Sequence, residues 1–353
     1  MNNLKLETLK PETPSSYASA GVDIEAGERA VELMADAVRR TYTPAVLAGI
    51  GAFGGLFGLN AAQLDLSDLV LVASTDGVGT KTMIASALGR YVGVGHDIVN
   101  HSVNDILVQG ARPLFFMDYI ASARVDPEQV ATVVRGCAEA CRAVGCVLLG
   151  GETAEMPGVY QPGAFDLVGS IVGWVRRGAI VDGSAVRAGD VCLGLRSSGL
   201  HTNGYSLVRR IFADTGWETT LPELGTSLGE ALLAPHRAYL AEIEALWGAG
   251  LAVKAMAHIT GGGFVGNVPR VLPANIGVEI DRAAWQVPPI FRLIQERGNV
   301  DEMEMYRVFN MGIGMVVVVG RDDVDRALSV LGGEAVVIGQ AVAWDESRPR
   351  VQL

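Results

Sequence analysis

The chain of 353 residues has few aromatic side chains, only four cysteines and no excess of basic residues. Lysine and arginine number 28 against 39 acidic residues, and the net charge of -11 excludes a broad electrostatic attraction to nucleic acid or to an anionic membrane surface. Glycine is frequent, yet neither glycine nor proline forms a repetitive tract, which excludes a fibrous or low-complexity chain. The composition is therefore that of an ordered globular protein. Because the net charge is negative, any phosphate group must be bound by a local site rather than by overall charge.

A long apolar segment is also missing. The most apolar stretch, residues 45–59, is shorter than the ~20 residues that a membrane helix needs. It contains five glycines, so we interpret it as a buried or ligand-facing loop. The first 16 residues are polar and lack the apolar core of a secretory signal. The four cysteines are expected to be buried thiols rather than zinc ligands, and we therefore expect a cytoplasmic protein without a membrane partner.

Strand and helix patterns alternate along the chain, which predicts an α/β or α+β architecture. A chain of 353 residues exceeds the size of a single hydrophobic core, so two domains are expected. A polar connection follows Trp174. We place the boundary near residue 176, which gives one domain over residues 1–175 and another over residues 176–353.

A glycine loop with one acidic residue follows the apolar pattern of a buried strand at residues 69–74. It consists of Asp76-Gly77-Val78-Gly79-Thr80-Lys81. Backbone amides next to glycine can approach phosphate oxygens, Asp76 can hold Mg²⁺, and Lys81 can neutralise phosphate charge. The loop is not a Walker A motif, because threonine stands where that motif has glycine before the lysine. An ordinary turn is the alternative for the bare pattern.

Polar side chains share one face of the predicted helix that follows this loop. They are Asp97, Asn100, His101, Asn104 and Asp105. Exposure to solvent is one explanation, but exposed helix faces normally favour lysine and glutamate over asparagine, histidine and aspartate. We therefore take Asp97 and Asp105 as candidate metal ligands. Asp105 is also a candidate catalytic residue, together with Asp76 and Lys81.

Two further acids stand in unusual surroundings. Asp118 interrupts an apolar strand pattern. If the Asp118 side chain is buried, it must be paired, protonated or bound to a metal. The alternative is that it lies on the polar face of a strand. Glu152 follows two glycines at the predicted end of a strand, where an acid can bind Mg²⁺ or act on a substrate. A solvated turn is the alternative for Glu152.

Two loops in the second half of the chain follow predicted strands and precede predicted helices. Such loops can bind phosphate through backbone amides and the helix dipole. The candidate ligands are Ser198, Gly199, His201, Asn203 and Gly204 in the first loop, and Thr260, Gly261, Gly262 and Gly263 in the second. His201 either donates to phosphate or is structural, and the second loop is otherwise a flexible turn. We also take His258 as a candidate catalytic residue.

Together these motifs resemble the aminoimidazole ribonucleotide synthetase family of purine biosynthesis, over nearly the whole chain. The most family-specific segment is Gly151-Glu152-Thr153-Ala154-Glu155-Met156-Pro157. The other matching segments are 16–17, 20–24, 76–81, 103–105, 113–119, 201–209, 260–264, 267–270 and 309–315. The chain departs from the family at Ala18, where many relatives have lysine. It also departs at His96, Asn100 and His101, where the family typically has apolar or small residues.

The resemblance implies a two-domain α/β fold with the active site in the cleft between the domains. Residues 1–175 would bind ATP and pair with a second copy through a barrel of sheets, giving a homodimer. Residues 176–353 would bind substrate or nucleotide. Asp76, Asp105 and Glu152 would hold Mg²⁺, while the glycine loops of both domains would hold the phosphates of ATP or substrate.

The resemblance also implies a reaction with ATP and Mg²⁺ as cofactors. ATP phosphorylates the formamide oxygen of formylglycinamidine ribonucleotide, and the amidine nitrogen then attacks the same carbon. Loss of phosphate gives 5-aminoimidazole ribonucleotide, and ADP is the other product. Two alternatives stand beside this reaction. They are another ATP-using enzyme of the superfamily, such as a small-molecule kinase, and a nucleotide-binding assembly protein without catalysis.

Overall fold

We describe the protein from a computed structural model that covers residues 24–50, 55–59 and 67–353. The family segments at 16–17 and 20–23, and Ala18, lie outside the described residues. The α-helices are α1 (Ile24–Arg39), α2 (Lys81–Leu88), α3 (Val92–Leu107), α4 (Pro127–Ala143), α5 (Tyr205–Ile211), α6 (Leu228–Leu232), α7 (Leu240–Gly248), α8 (Gly263–Asn267), α9 (Pro289–Gly298), α10 (Glu302–Val308) and α11 (Val324–Leu331). The strands are β1 (Val46–Ala48), β2 (Leu56–Phe57), β3 (Leu69–Gly77), β4 (Arg112–Ser122), β5 (Val147–Glu155), β6 (Phe165–Arg176), β7 (Val191–Arg196), β8 (Thr220–Leu221), β9 (Thr226–Ser227), β10 (Val253–His258), β11 (Ile276–Ile280), β12 (Ile313–Val319), β13 (Ala335–Ala343) and β14 (Val351–Gln352).

The first large sheet has four strands in the order β3-β6-β4-β5. Strand β6 is antiparallel to both of its neighbours, and β4 is parallel to β5. Helices α3 and α4 pack against one face of this sheet, and α1 packs against α4. Helix α4 begins as its sequence predicts, because the Asp126 side chain accepts hydrogen bonds from two backbone amides and Pro127 occupies the first turn.

Within the described residues, the opposite face of the first sheet is open. Leu71 on β3 is 54% exposed and Met117 on β4 is 39% exposed. The prediction that the strand at residues 69–74 is buried was wrong for the described part of the chain, in which β3 is an edge strand and helices cover one side of the sheet. For the described part of residues 45–59, the buried alternative was also wrong, and the ligand-facing alternative stays a prediction. Strands β1 and β2 pair there, and Leu47 and Leu56 are exposed.

The second large sheet has six strands in the order β10-β12-β7-β13-β11-β14. Neighbouring strands are antiparallel except β11 and β14. Every residue of β12 is buried, which its unbroken apolar sequence predicts for a strand covered on both faces. The mixed α/β content of the prediction is confirmed. The boundary near residue 176 stays a prediction.

Helix α3 carries the polar face that includes Asp97 and Asp105, and close packing fixes its position. Gly95 on α3 and Gly136 on α4 lie where the two helices cross. A Cβ atom on Gly95 would lie 2.3 Å from the carbonyl oxygen of Val133, and one on Gly136 would lie 2.1 Å from that of Val92. Buried apolar residues of α3, α4, β7, β12 and α7 form one continuous cluster, so α3 is held between the two sheets.

Asp118 on β4 is buried on the helix-covered side of the first sheet, which excludes the polar-face alternative. Burial raises the pKa of Asp118 to about 7. The protonated form is therefore favoured in the folded state. The unfolded chain, in which an aspartate has a pKa of about 3.9, binds fewer protons between about pH 4 and pH 7. The contribution of Asp118 to stability is present below that window and is lost as the pH rises through it.

We expect Asp118→Asn to remove this pH dependence, because asparagine is neutral at every pH in the window. The wild type should lose stability relative to the variant by up to about 1.4 kcal/mol per pH unit between about pH 4 and pH 7. Urea unfolding at pH 5 and at pH 8, at one protein concentration, measures this difference. An equal difference in free energy of unfolding at the two pH values would contradict the assignment.

Candidate functional site

A cleft of about 480 Å³ lies between the two large sheets. The first half of the chain contributes the end of β3 and the C-terminal part of α3. The second half contributes the end of β10 and the loop and short helices that follow it. The lining residues are Ala73, Ser74, Asp76, His101, Asp105, Val108, Gln109, Ile180, Val181, Asp182, Met256, Ala257, His258, Thr260, Asn267, Arg270 and Val271.

Four polar side chains converge in this cleft from three different elements. Nε2 of His101 on α3 lies 2.9 Å from Oδ2 of Asp76 on β3 and 3.6 Å from Oδ2 of Asp105 on α3. Nδ1 of His258, the last residue of β10, lies 2.9 Å from Oδ1 of Asp105. Asp105 is therefore shared by two imidazoles, one from each half of the chain. The sequence placed Asp76, Asp105 and His258 among the catalytic candidates, and the structure brings them together.

Neighbouring polar groups hold these side chains in place. The Ser74 hydroxyl donates to Oδ2 of Asp105 over 3.2 Å. On the side away from the carboxylates, Nδ1 of His101 is 2.9 Å from the Thr202 hydroxyl. Nε2 of His258 is 2.9 Å from Nε2 of His236. The solvent-exposure explanation for the polar face of α3 is thus wrong, because its residues face the second half of the chain.

The electrostatics of the cleft favour ionised carboxylates. The hydrogen bond from His101 holds the pKa of Asp76 below its usual value. Burial alone would raise the pKa of Asp105, but the hydrogen bond from His258 and the charges of both imidazoles lower it. Burial opposes protonation of His101, yet its hydrogen bond to Asp76 and the nearby carboxylates raise its pKa. Two negative groups are therefore available to a cation in the cleft.

The buried pair of Lys81 and Asp97 lies away from the open cleft. Both side chains are fully buried, with Nζ of Lys81 2.8 Å from Oδ2 of Asp97. The same ammonium donates to the carbonyl oxygens of His201 and Ala234, and Asp97 accepts from the His236 amide. This geometry does not support Lys81 as a phosphate ligand or Asp97 as a metal ligand, because each group already satisfies the other. The pair instead joins the first half of the chain to the second.

The predicted phosphate loop begins inside β3, since the strand continues to Gly77. The Gly77 amide donates to Oδ1 of its neighbour Asp76 over 2.6 Å, and Val78 is buried. Gly79 has a φ of 69° and open space around its Cα, so its backbone is accessible. The Thr80 hydroxyl lies 3.2 Å from that of Ser206 in the second half of the chain. The loop therefore contacts the second half of the chain through Thr80.

The first loop of the second half turns its side chains mainly inward. His201 is fully buried and stacks on His236 with a centroid distance of 3.9 Å. Burial lowers the pKa of His201 well below its usual value, so it is neutral. The Ser198 hydroxyl donates to the Pro235 carbonyl over 2.5 Å, and Gly199 accepts from Asn310. The structural alternative for His201 is thus the one that this geometry supports. Asn203, whose amide nitrogen is buried, and Gly204 complete this loop.

The second loop opens towards the cleft. Thr260 lines the cleft directly, and the Asn267 side chain donates to the carbonyl oxygens of Thr260, Gly261 and Gly263. Gly262 precedes α8 with a φ of 99°. A Cβ atom on Gly263 would lie 1.9 Å from the Tyr306 carbonyl oxygen, so only glycine fits at that position. These hydrogen bonds order the loop, which argues against a flexible turn.

Glu152 does not join the other acids within one chain. The register of the sheet shows the separation. Gly169 on β6 lies opposite Asp76 on one neighbouring strand, β3, and opposite Asp118 on the other, β4. Gly151 on β5 lies opposite Asp118. Three strand spacings of about 4.8 Å therefore separate Glu152 from Asp76, or about 14 Å. Glu152 is exposed at the opposite edge of the sheet. The sequence could not reveal this, because strand order is not readable from strand ends.

Several side chains of the site were not among the candidates from the sequence. Ser74 donates to Asp105, His236 and Thr202 stand behind the imidazoles of the cleft, and Arg270 lines it. Of the described residues that line the cleft, Arg270 alone is a lysine or an arginine. The small number of histidines was a signal that could have pointed to His236. The chain has five, and four of them lie together beside the cleft.

Comparison with known proteins places these features in a family context. The model for the AIR synthase related protein N-terminal domain matches residues 58–175, and the model for the C-terminal domain matches residues 187–352. A phosphoribosylformylglycinamidine cyclo-ligase from Desulfitobacterium hafniense is 52% identical over 334 residues, which cover 94% of this chain and 98% of the relative. One of the same name from Alkaliphilus oremlandii is 50% identical over 333 residues, 93% of this chain and 97% of the relative.

Solved structures show a similar fold at low sequence identity. Thiamine-monophosphate kinase from Stenotrophomonas maltophilia has a TM-score of 0.66 at 16% identity and covers 91% of this chain and 95% of its own. The hydrogenase maturation protein HypE in complex with ATP has a TM-score of 0.62 at 18% identity, covering 91% and 89%. The two-domain α/β prediction is confirmed. In the described part of the chain, each helix is too short or too polar to span a bilayer.

Proposed function

The chain belongs to the family of AIR synthase related proteins, and from this premise we propose how its interdomain cleft performs the reaction of its cyclo-ligase relatives. The chain is an enzyme that closes the imidazole ring of 5-aminoimidazole ribonucleotide from formylglycinamidine ribonucleotide with ATP. ATP phosphorylates the formamide oxygen, the amidine nitrogen attacks the same carbon, and phosphate leaves. Such phosphoryl transfer depends on positioning and charge neutralisation rather than on a protein nucleophile.

The observation that carries the assignment is the convergence of Asp76, His101, Asp105 and His258 at one cleft. Two carboxylates with lowered pKa values fit a divalent cation, and we propose that Asp76 and Asp105 hold Mg²⁺. When bound, Mg²⁺ neutralises phosphate charge and orients the transferred group. His258 positions Asp105 and is the candidate group for the proton that the amidine nitrogen loses on ring closure.

We assign the phosphates to backbone and side-chain donors around these carboxylates. Gly77, Gly79 and Thr80 lie next to Asp76, and Gly79 has an accessible backbone. Thr260 and Arg270 lie on the opposite wall of the cleft. Because Arg270 supplies a positive charge there, we propose that it binds a phosphate group of ATP or of the substrate.

A turnover assay with purified protein, ATP, Mg²⁺ and formylglycinamidine ribonucleotide tests the proposal. We expect 5-aminoimidazole ribonucleotide, ADP and phosphate in equal amounts. ADP with a phosphorylated product and no ring closure would favour a small-molecule kinase. Binding of ATP without any hydrolysis would favour the non-catalytic assembly protein. Absence of all products with folded protein would exclude the proposed reaction.

We propose a homodimer formed through the open face of the first sheet, in a cytoplasmic location. Exposed apolar side chains such as Leu71 and Met117 would be covered by a second copy of that face, as the family resemblance implies. Replacing Leu71 with glutamate buries a charge in that contact, so we expect a monomer in analytical ultracentrifugation. The control is Met303→Glu, at an exposed apolar position on α10 in the other half of the chain. A wild-type monomer, or an unchanged Leu71→Glu dimer, would contradict this interface.

A further inference from the structure

Two imidazoles accompany the two carboxylates in the cleft. We infer that His101 and His258, with Asp105 and Asp76, form a binding site for a divalent first-row transition ion such as Zn²⁺ or Co²⁺. Magnesium prefers oxygen ligands alone, whereas imidazole nitrogen favours the later transition ions. The inference rests on the proposed function only for the location of the metal site. It does not depend on the ring-closure chemistry.

The ligand atoms are close enough to share one ion. His101, Asp105 and His258 each offer one ligand atom, and these three atoms lie within 4.8 Å of one another. Atoms that bind one ion at about 2.1 Å are about 3–4 Å apart, so shifts of about 1 Å or less complete the set. Oδ2 of Asp76, 2.9 Å from Nε2 of His101, can supply a fourth ligand. The cleft gives an ion access to this set from solvent.

The outer nitrogens of both imidazoles have partners that can fix the tautomer a metal requires. Nε2 of His258 lies 2.9 Å from Nε2 of His236, and Nδ1 of His101 lies 2.9 Å from the Thr202 hydroxyl. When these outer nitrogens donate, the nitrogens that face the carboxylates carry free electron pairs. Hydrogen bonds of this kind orient ligating histidines and raise their basicity. Binding of the ion releases any proton on the inner nitrogens to solvent.

His101 adds a nitrogen ligand to the two carboxylates, since its Nε2 lies 2.9 Å from Oδ2 of Asp76 and 3.6 Å from Oδ2 of Asp105. The ion would occupy both carboxylates that we assign to Mg²⁺. We therefore expect Zn²⁺ to compete with Mg²⁺ and to inhibit turnover.

Titration of tag-free, full-length protein with Co²⁺ in the absence of nucleotide tests the site. Visible absorption and calorimetry should show one Co²⁺ bound per chain. His101→Asn should lower the affinity for Co²⁺ at least about tenfold. The same variant should change the Mg²⁺ affinity by a smaller factor than the Co²⁺ affinity, because Mg²⁺ uses the carboxylates rather than the imidazole. The matched control is His96→Asn on the same helix, where the imidazole pairs with Glu139 outside the cleft.

Two further measurements separate this inference from a structural effect. Thr202→Val removes the outer partner of His101 and a longer contact of 3.5 Å to Nδ1 of His236, and it should weaken Co²⁺ binding about tenfold. Circular dichroism checks that each variant is folded. Unchanged Co²⁺ affinity in folded His101→Asn, or no Co²⁺ bound by the wild type, would overturn the inference and leave the cyclo-ligase proposal intact. A wild type that binds Co²⁺ but forms no product with Mg²⁺ would instead contradict the proposed function alone.

Discussion

Replacing Asp105 with asparagine is expected to lower kcat for ring closure by at least about 100-fold, the size of effect seen when one preorganised electrostatic group is lost. Asp105 contacts imidazoles from both halves of the chain, His101 and His258. Asparagine keeps its shape and its acceptor for Ser74 but removes the negative charge that we assign to Mg²⁺. Steady-state kinetics at saturating ATP and substrate measure the loss, and thermal unfolding checks that the fold is retained.

The control for this variant is Asp68→Asn. Asp68 precedes β3 and forms an exposed ion pair with Arg177, far from the cleft. Its replacement should leave kcat within about twofold, because exposed ion pairs contribute little. If Asp105→Asn is as active as the wild type, Asp105 is not a metal ligand. A loss that excess Mg²⁺ fully restores would show weakened metal binding rather than impaired chemistry.

Replacing Lys81 with methionine should cause the largest loss of stability, about 3–5 kcal/mol. The variant leaves Asp97 as an unpaired charge in a fully buried position. It also removes the donor to the carbonyl oxygens of His201 and Ala234, which join the two halves. Urea unfolding at one protein concentration measures the change. The exposed pair of Arg177 and Asp68 gives the comparison. Arg177→Met should lower the free energy of unfolding by about 1 kcal/mol or less.

A second substitution separates the structural role of Lys81 from a phosphate role. Lys81→Met combined with Asp97→Asn removes the buried charge while keeping an acceptor for the His236 amide. We expect the double variant to recover at least about half of the lost stability, because an uncompensated charge is costlier than a neutral polar group. If Lys81→Met keeps the stability of the wild type but loses turnover, Lys81 would instead be assigned to phosphate binding.

The sequence predicted the helix that follows Asp126, the strand at residues 69–74 that leads to Asp76, and the loops that follow β7 and β10. Each of these has a local cause, such as a capping side chain, apolar periodicity or glycine. The family resemblance predicted the two-domain fold and the reaction. Burial on the two faces of the first sheet was not predictable in the same way. It depends on which helices pack against the sheet, and that is set by contacts distant in sequence.

The division of roles along α3 shows the same limit at the site. Asp97 and Asp105 share a helix face, and no pattern in the sequence separates their roles. They are eight residues apart, so about 12 Å of helix axis lies between them. Asp97 therefore meets Lys81 in the protein interior, while Asp105 meets His258 at the cleft.

The sequence by itself determined the acidic glycine strand end, the polar face of α3 and the family, because these depend on residue type and spacing. Tertiary structure alone decided which acids form one site. The packing of β10 against the end of α3 brings His258 to Asp105, and the strand order of the first sheet carries Glu152 away from Asp76. Strand order and interdomain packing are set by long-range burial, which local patterns do not encode.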